Sequence, residues 1–212
     1  TIKDFTIVGG EVFTHNDLNT WVHGLRDIFV DVENFKVITN GTMLEKYAAS
    51  FDSWFAKNIV IEVSVKREQD KKNLQVFLQR YDNVEIKEHF LYDQAIYIKN
   101  KLCFLVEFCN EHRHWAVKEY KDNVYRFWLN SSKLAHKDCW QKYCHYFYKG
   151  DLYKCGTVVG AREFVKKYPV PCNDKSIYEG YTPIKYNDKD LHEQIQNLNN
   201  EIPQCSRCPI SS

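Results

Sequence analysis

The 212-residue chain has no block of like charge: 29 Lys and Arg stand against 28 Asp and Glu, a net charge of +1. Without a basic stripe nothing competes for a phosphate backbone, which argues against nucleic acid as the main partner. No apolar stretch approaches the roughly 18 residues that a membrane helix needs. The N-terminus also lacks the charged-then-apolar pattern of a secretory signal. Together these absences predict a soluble, cytoplasmic protein with no membrane partner. There is no internal repeat and no low-complexity segment. Position 1 is Thr1 rather than methionine, and a strand-like segment follows almost at once. That opening reads as a cut, with further sequence expected upstream.

What is present is ample apolar material, 44% of residues, enough for one sizeable domain or for a domain of about 130 residues with a smaller appendage. The first 90 residues alternate short apolar runs with amphipathic stretches, the pattern of βα units. Strands are predicted at Phe5 to Val8, Phe35 to Thr39, Ile59 to Val65 and Val84 to Glu88. Helices are predicted at Asn16 to Phe29, Met43 to Ala56 and Asp70 to Arg80. In the first helix Leu18, Trp21, Val22, Leu25 and Ile28 share a face, and Asn16 or Thr14 supplies a cap. Parallel strands joined this way need crossover helices, so the expected fold class is α/β, a partial (βα) barrel that binds ligands at the C-terminal strand ends.

After Phe90 the texture changes. Strands are expected at Ala95 to Ile98, Leu102 to Phe108 and Val124 to Leu129. A β-hairpin follows at Tyr146 to Tyr148 and Leu152 to Lys154, with short helices at Ala161 to Lys167 and Asp188 to Asn197. A boundary between Asn130 and Asp138 divides the chain into 1–132, the partial barrel, and 133–212, a small cysteine-rich α+β module.

Two strand ends carry special residues. Gly9, Gly10 and Glu11 follow the first strand, where adjacent glycines permit positive φ and close backbone approach to a ligand, and where a carboxylate can accept from an ammonium group. On its own this is also what an ordinary turn looks like. The next strand, however, ends in Thr39, Asn40, Gly41 and Thr42, and two such ends one βα unit apart face the same mouth. With His15, Asn16, Asp17 and Leu18 after the first motif, the pair resembles the radical S-adenosylmethionine superfamily, in which a Gly-Gly-Glu strand end precedes a His-Pro-Asp-Leu-like helix start and the next strand ends in Thr-Asn-Gly-Thr. Asn16 stands where that pattern has proline. The third strand, Glu62-Val63-Ser64-Val65, is similar to the strand whose serine and a later basic residue hold the methionine carboxylate. The resemblance implies Ser64 for the first role and Arg67 or Lys66 for the second, although the usual Asp-Gly after this strand is absent.

The resemblance implies S-adenosylmethionine bound by Gly9, Gly10, Glu11, Thr39, Asn40, Ser64 and Arg67. It also implies a catalytic 4Fe-4S cluster, which takes three cysteines from a CxxxCxxC loop. The chain contains no such triplet, so that cluster is expected only if an upstream segment supplies it. The catalytic residues themselves stay unassigned.

Six of the eight cysteines fall from Cys139 onward, and without a secretory signal such clustering points to metal rather than disulfides. Thiolates suit iron-sulfur clusters or zinc. Cys144, Cys155, Cys205 and Cys208 form one set, with Cys139 as an alternative or spare ligand. The run Gly150-Asp151-Leu152-Tyr153-Lys154-Cys155 and the closing Cys205-Ser206-Arg207-Cys208 resemble the SPASM and shorter twitch modules, which implies one auxiliary 4Fe-4S cluster. Relatives of that kind act on a peptide, carbohydrate or other small substrate and take electrons from a donor such as a flavodoxin or ferredoxin. The alternative is a non-catalytic scaffold with a zinc or iron-sulfur staple. Cys103 and Cys109 read as core residues, Cys172 as a free thiol in a loop, and Trp21 and Trp54 as core. His112 and His114 could line a pocket or simply face solvent, and His89 and Tyr92, beyond a predicted strand end, could reach a substrate but are assigned no role.

Overall fold

The computed structural model describes residues 2–108, 117–139, 141–168 and 176–210. Cys109, His112, His114 and Cys172 lie outside them. The chain forms two compact units, residues 1–112 and 113–212, so the boundary expected at Asn130 to Asp138 falls within the second unit.

The first unit runs β1 (Asp4–Ile7), α1 (Leu18–Ile28), β2 (Asn34–Thr39), α2 (Leu44–Ala56), β3 (Ile59–Val65), α3 (Glu68–Leu78), β4 (Val84–Lys87), β5 (Gln94–Ile98) and β6 (Lys101–Phe108). Its six strands order as β1-β2-β3-β6-β5-β4. The first four of these are parallel neighbours, whereas β5 is antiparallel to both β6 and β4. The expectation that Val84 to Glu88 continues the parallel series is corrected: β4 forms an outer edge, antiparallel to its one partner. No helix joins β4 to β5 or β5 to β6, and a connection without a crossover element returns the chain antiparallel. The β5–β6 turn is tight, with Lys99 and Asn100 both at positive φ, the conformation a two-residue hairpin needs. The sheet is mixed and open, with edges at β1 and β4 and no barrel closure among the described residues.

Alternation along the strands sends Phe35, Val37, Ile59, Ile61, Val63 and Phe104 to the helix-covered face. There they pack with Val22, Phe51, Trp54, Leu74 and Phe77 in one core. Trp54 is wholly buried, and its indole N–H donates to Asn19 Oδ1 at 2.8 Å. Trp21 differs from expectation: it is 48% exposed and its ring lies 3.9 Å from that of His15. Ile28 is also exposed. Neither Thr14 nor Asn16 caps α1; Asp17 occupies the N-cap position without a side-chain capping bond. The Thr14 hydroxyl instead donates to the Glu11 carbonyl at 2.7 Å, and Asn16 Oδ1 accepts from Lys46 at 3.2 Å.

The second unit contains β7 (Val117–Lys121), β8 (Val124–Phe127), α4 (Ser132–Lys137), β9 (Tyr146–Tyr148), β10 (Asp151–Tyr153), α5 (Gly156–Lys167), α6 (Ser176–Glu179), β11 (Ile184–Lys185), α7 (Leu191–Asn197) and a 3-10 turn at Pro203–Arg207. β7 and β8 form one hairpin, and β9, β10 and β11 a small antiparallel sheet. Lys149 and Gly150, both at positive φ, close the expected hairpin. Asn130 ties the beginning of this unit to its far end: its amide N–H donates to Ser206 O at 2.9 Å and its side chain to Cys208 O at 2.7 Å. Among the described residues no helix is long and apolar enough to cross a membrane.

Candidate functional site

β1, β2 and β3 are parallel neighbours, so the segments that follow them emerge at the same sheet edge. Glu11 joins the first two. One carboxylate oxygen accepts from the Thr39 hydroxyl at 2.7 Å and from the Phe13 amide at 3.0 Å, and the other from the Asn40 amide at 2.8 Å. A carboxylate offers about four acceptor positions, so this clamp leaves room for a further donor. Thr39 is buried, and its hydroxyl also accepts from the Gly41 amide at 3.1 Å. Asn40 Oδ1 accepts from the amide and hydroxyl of Thr42. The two motifs singled out from sequence thus form one hydrogen-bonded corner.

The glycines divide their work differently from expectation. Neither Gly9 nor Gly10 adopts positive φ; that role falls to Gly41, at +79°. A Cβ added at Gly41 would also lie 2.9 Å from Val63 Cγ1, so this glycine lets β2's end press against β3. At Gly10 an added Cβ would meet nothing within 4 Å. The chain's own packing therefore does not call for glycine there, and the backbone is open to approach.

Thr39 pairs with Val63, which puts the half-buried Ser64 one residue farther toward the same edge. Arg67 precedes α3 and is held by Asp70 through two hydrogen bonds of 2.9 and 2.8 Å. That hydrogen-bonded guanidinium holds the buried Asp70 carboxyl below the usual carboxylate range. Arg67 remains largely exposed on its other side.

On the sheet face away from the helices lies a polar group of which the sequence suggested only Tyr92. Lys36 Nζ lies 3.1 Å from the Tyr92 hydroxyl and 3.4 Å from Glu62, and the Tyr92 hydroxyl donates to Glu62 at 2.8 Å. Glu62 is only 8% exposed. Burial alone would lower the Lys36 pKa, but Tyr92 and Glu62 outweigh it and raise the value. Burial raises that of Tyr92. The signal in the sequence was a charge at each helix-free position, Lys36 between Phe35 and Val37 and Glu62 between Ile61 and Val63.

In the second unit Cys139 follows α4, Cys155 is the N-cap residue of α5, and Cys205 and Cys208 lie in and just after the 3-10 turn. All four line one cavity of about 30 Å³, together with His136, Lys142 and Lys154. Cys144 is exposed and lies off that wall, so of the two sequence alternatives it is Cys139 that joins the other three. Burial pushes the thiols of Cys155 and Cys205 up, and that of Cys208 to about 12. Metal loading here would therefore release protons.

Three further groups fit a soft, anionic metal centre. Lys154 is 2% exposed. The His136 Nε2 and the Tyr178 hydroxyl are buried without a hydrogen-bond partner among the described residues. Charged thiols at Cys208, Cys155 and Cys205 would act on Tyr178, whose pKa burial already raises. No three of the described His, Cys, Asp or Glu side chains stand close enough to chelate an ion as they are. The four thiols share a wall rather than a common point.

Comparison with known proteins yields no matching family model, no matching curated protein and no matching solved structure.

Proposed function

We propose that the first unit is part of the (βα) barrel of a radical S-adenosylmethionine enzyme and that the second is its auxiliary-cluster module. The observation that carries this reading is the Glu11 clamp, which makes one corner of the Gly-Gly-Glu and Thr-Asn-Gly-Thr strand ends. Gly10 offers open backbone to the ligand's ammonium group, with Gly9 beside it, while Glu11 has capacity for one more donor. Thr39 and Asn40 fix the corner, and Ser64 and Arg67 serve the methionine carboxylate. Arg67 can do so from its exposed side while Asp70 holds it in place.

Cys139, Cys155, Cys205 and Cys208 would hold the auxiliary 4Fe-4S cluster, with Cys144 outside the set. When bound, S-adenosylmethionine and a reduced catalytic cluster would supply the radical chemistry for removing a hydrogen atom from the substrate. That catalytic cluster would need a CxxxCxxC triplet, which this sequence does not contain. The substrate class is a peptide, carbohydrate or other small molecule, the electron donor a flavodoxin or ferredoxin, and the compartment the cytoplasm.

The test is anaerobic reconstitution of the chain with iron and sulfide, followed by S-adenosylmethionine titration. Uptake of about four irons and four sulfides is expected, with ligand binding that Gly10→Ala weakens. Zinc at one per chain, no iron after reconstitution and no ligand binding would establish the scaffold reading instead.

A further inference from the structure

We infer that Lys154 is the built-in counter-ion of the four-thiol centre, an inference that rests on the metal-site reading above. Its ammonium group donates to the backbone carbonyls of Lys142, at 3.1 Å, and Leu198. These contacts hold it between the loop after α4 and the end of α7. Among the described residues no carboxylate pairs with it. A buried ammonium satisfied only by neutral carbonyls is costly to maintain, because they do not replace the water it gave up. Such a group makes sense where an anion comes to lie beside it.

The cavity supplies that anion. Lys154 lines it together with Cys139, Cys155, Cys205 and Cys208. Four thiolates around a divalent zinc ion or an oxidised 4Fe-4S core carry a net charge of about −2, a heavy load in a poorly solvated site. Two other cations lie close by, but each is engaged differently. Lys142 is only half-buried, and its amine donates to the Lys137 carbonyl at 3.3 Å. Arg207 directs its guanidinium to the Trp128 carbonyl at 3.3 Å. Lys154 is the buried cation on the wall itself. Its position in the Gly-Asp-Leu-Tyr-Lys-Cys run follows from the hairpin: β10 ends at Tyr153, and the next two residues turn into the cavity wall ahead of α5.

A counter-ion does two things that a purely packing residue does not. It strengthens metal binding through charge. In an iron-sulfur centre it also favours the reduced, more negative state. Two variants separate charge from shape: Lys154→Met removes the charge at similar volume, and Lys154→Arg keeps it.

The experiment measures cobalt(II) affinity of the full chain from its thiolate-to-cobalt absorption, then the midpoint potential after iron-sulfur reconstitution. Lys154→Met should lose at least about tenfold in cobalt affinity and move the potential to a more negative value, with Lys154→Arg close to wild type. If Lys154→Met disrupts the module, Lys154→Gln still donates to the two carbonyls without the charge and should show the same losses. Wild-type affinity and potential in the neutral variants would overturn the inference and leave the metal site standing. A wild-type chain that binds neither cobalt nor iron would overturn the metal-site reading, and this inference with it.

Discussion

The hydroxyl of Thr39 lies 2.7 Å from the carboxylate of Glu11 and joins the ends of two neighbouring parallel strands. It works in both directions, donating to Glu11 and accepting from the Gly41 amide. Thr39→Val keeps the shape and removes both bonds in a buried position. The expected cost is about 1 to 3 kcal/mol, read from urea denaturation, with most of the stability kept in Thr39→Ser. Equal stability in the two variants would mean that the corner is held by packing.

Gly10 and Gly41 should respond in opposite ways. Gly10→Ala adds a methyl to open space at an ordinary φ, so the unfolding midpoint should not move, while S-adenosylmethionine affinity should fall by about tenfold or more. Gly41→Ala meets both a φ of +79° and Val63 at 2.9 Å, and should cost about 1 to 3 kcal/mol. If ligand affinity is unchanged in Gly10→Ala, the ligand does not approach that backbone.

The cavity wall separates two cysteines that lie close in sequence. If the second unit takes up the proposed metal, Cys139→Ser should prevent its binding, because a closed site loses a ligand, whereas Cys144→Ser should leave it unchanged. Metal and sulfide content after anaerobic reconstitution decides the matter. The reverse pattern would place Cys144 in the centre instead.

Alkaline pH should weaken the first unit in a traceable way. Burial pushes the Tyr81 hydroxyl to about 12 and raises that of Tyr92. Both groups therefore keep in the folded chain a proton that the unfolded chain releases above about pH 10. Their contribution is fully present below that pH and is lost as pH rises through the folded values. Tyr81→Phe should flatten the fall in unfolding free energy between about pH 10 and about pH 12; an unaltered slope would assign the fall to other groups.

Much of the first unit could be read from the sequence because its strands bury one face. The period-two burial of Ile59, Ile61, Val63 and Val65 marks β3 with the bounds expected of it. Periodicity reports which face is buried but not which strand lies alongside, so the order β3-β6-β5-β4 was not legible. The same limit explains Trp21 and Ile28, apolar at helical spacing yet exposed on α1. At the candidate site the two strand-end motifs were visible as residue types, whereas the Glu11 clamp and the choice between Cys139 and Cys144 depend on three-dimensional placement. Lys154 is one residue of the Gly150 to Cys155 run, and only its burial sets it apart.

The pair of hydrogen bonds from Asn130 to Ser206 and Cys208 also bears on how the chain is made. The bond to Cys208 spans 78 residues in sequence separation, and contacts this distant form late, because chain entropy opposes them until both ends are present. During synthesis the sheet of the first unit has all its strands once residue 108 has emerged. The second unit must wait for Cys208, so a chain stopped ahead of Cys205 should leave a folded sheet attached to an unfinished module.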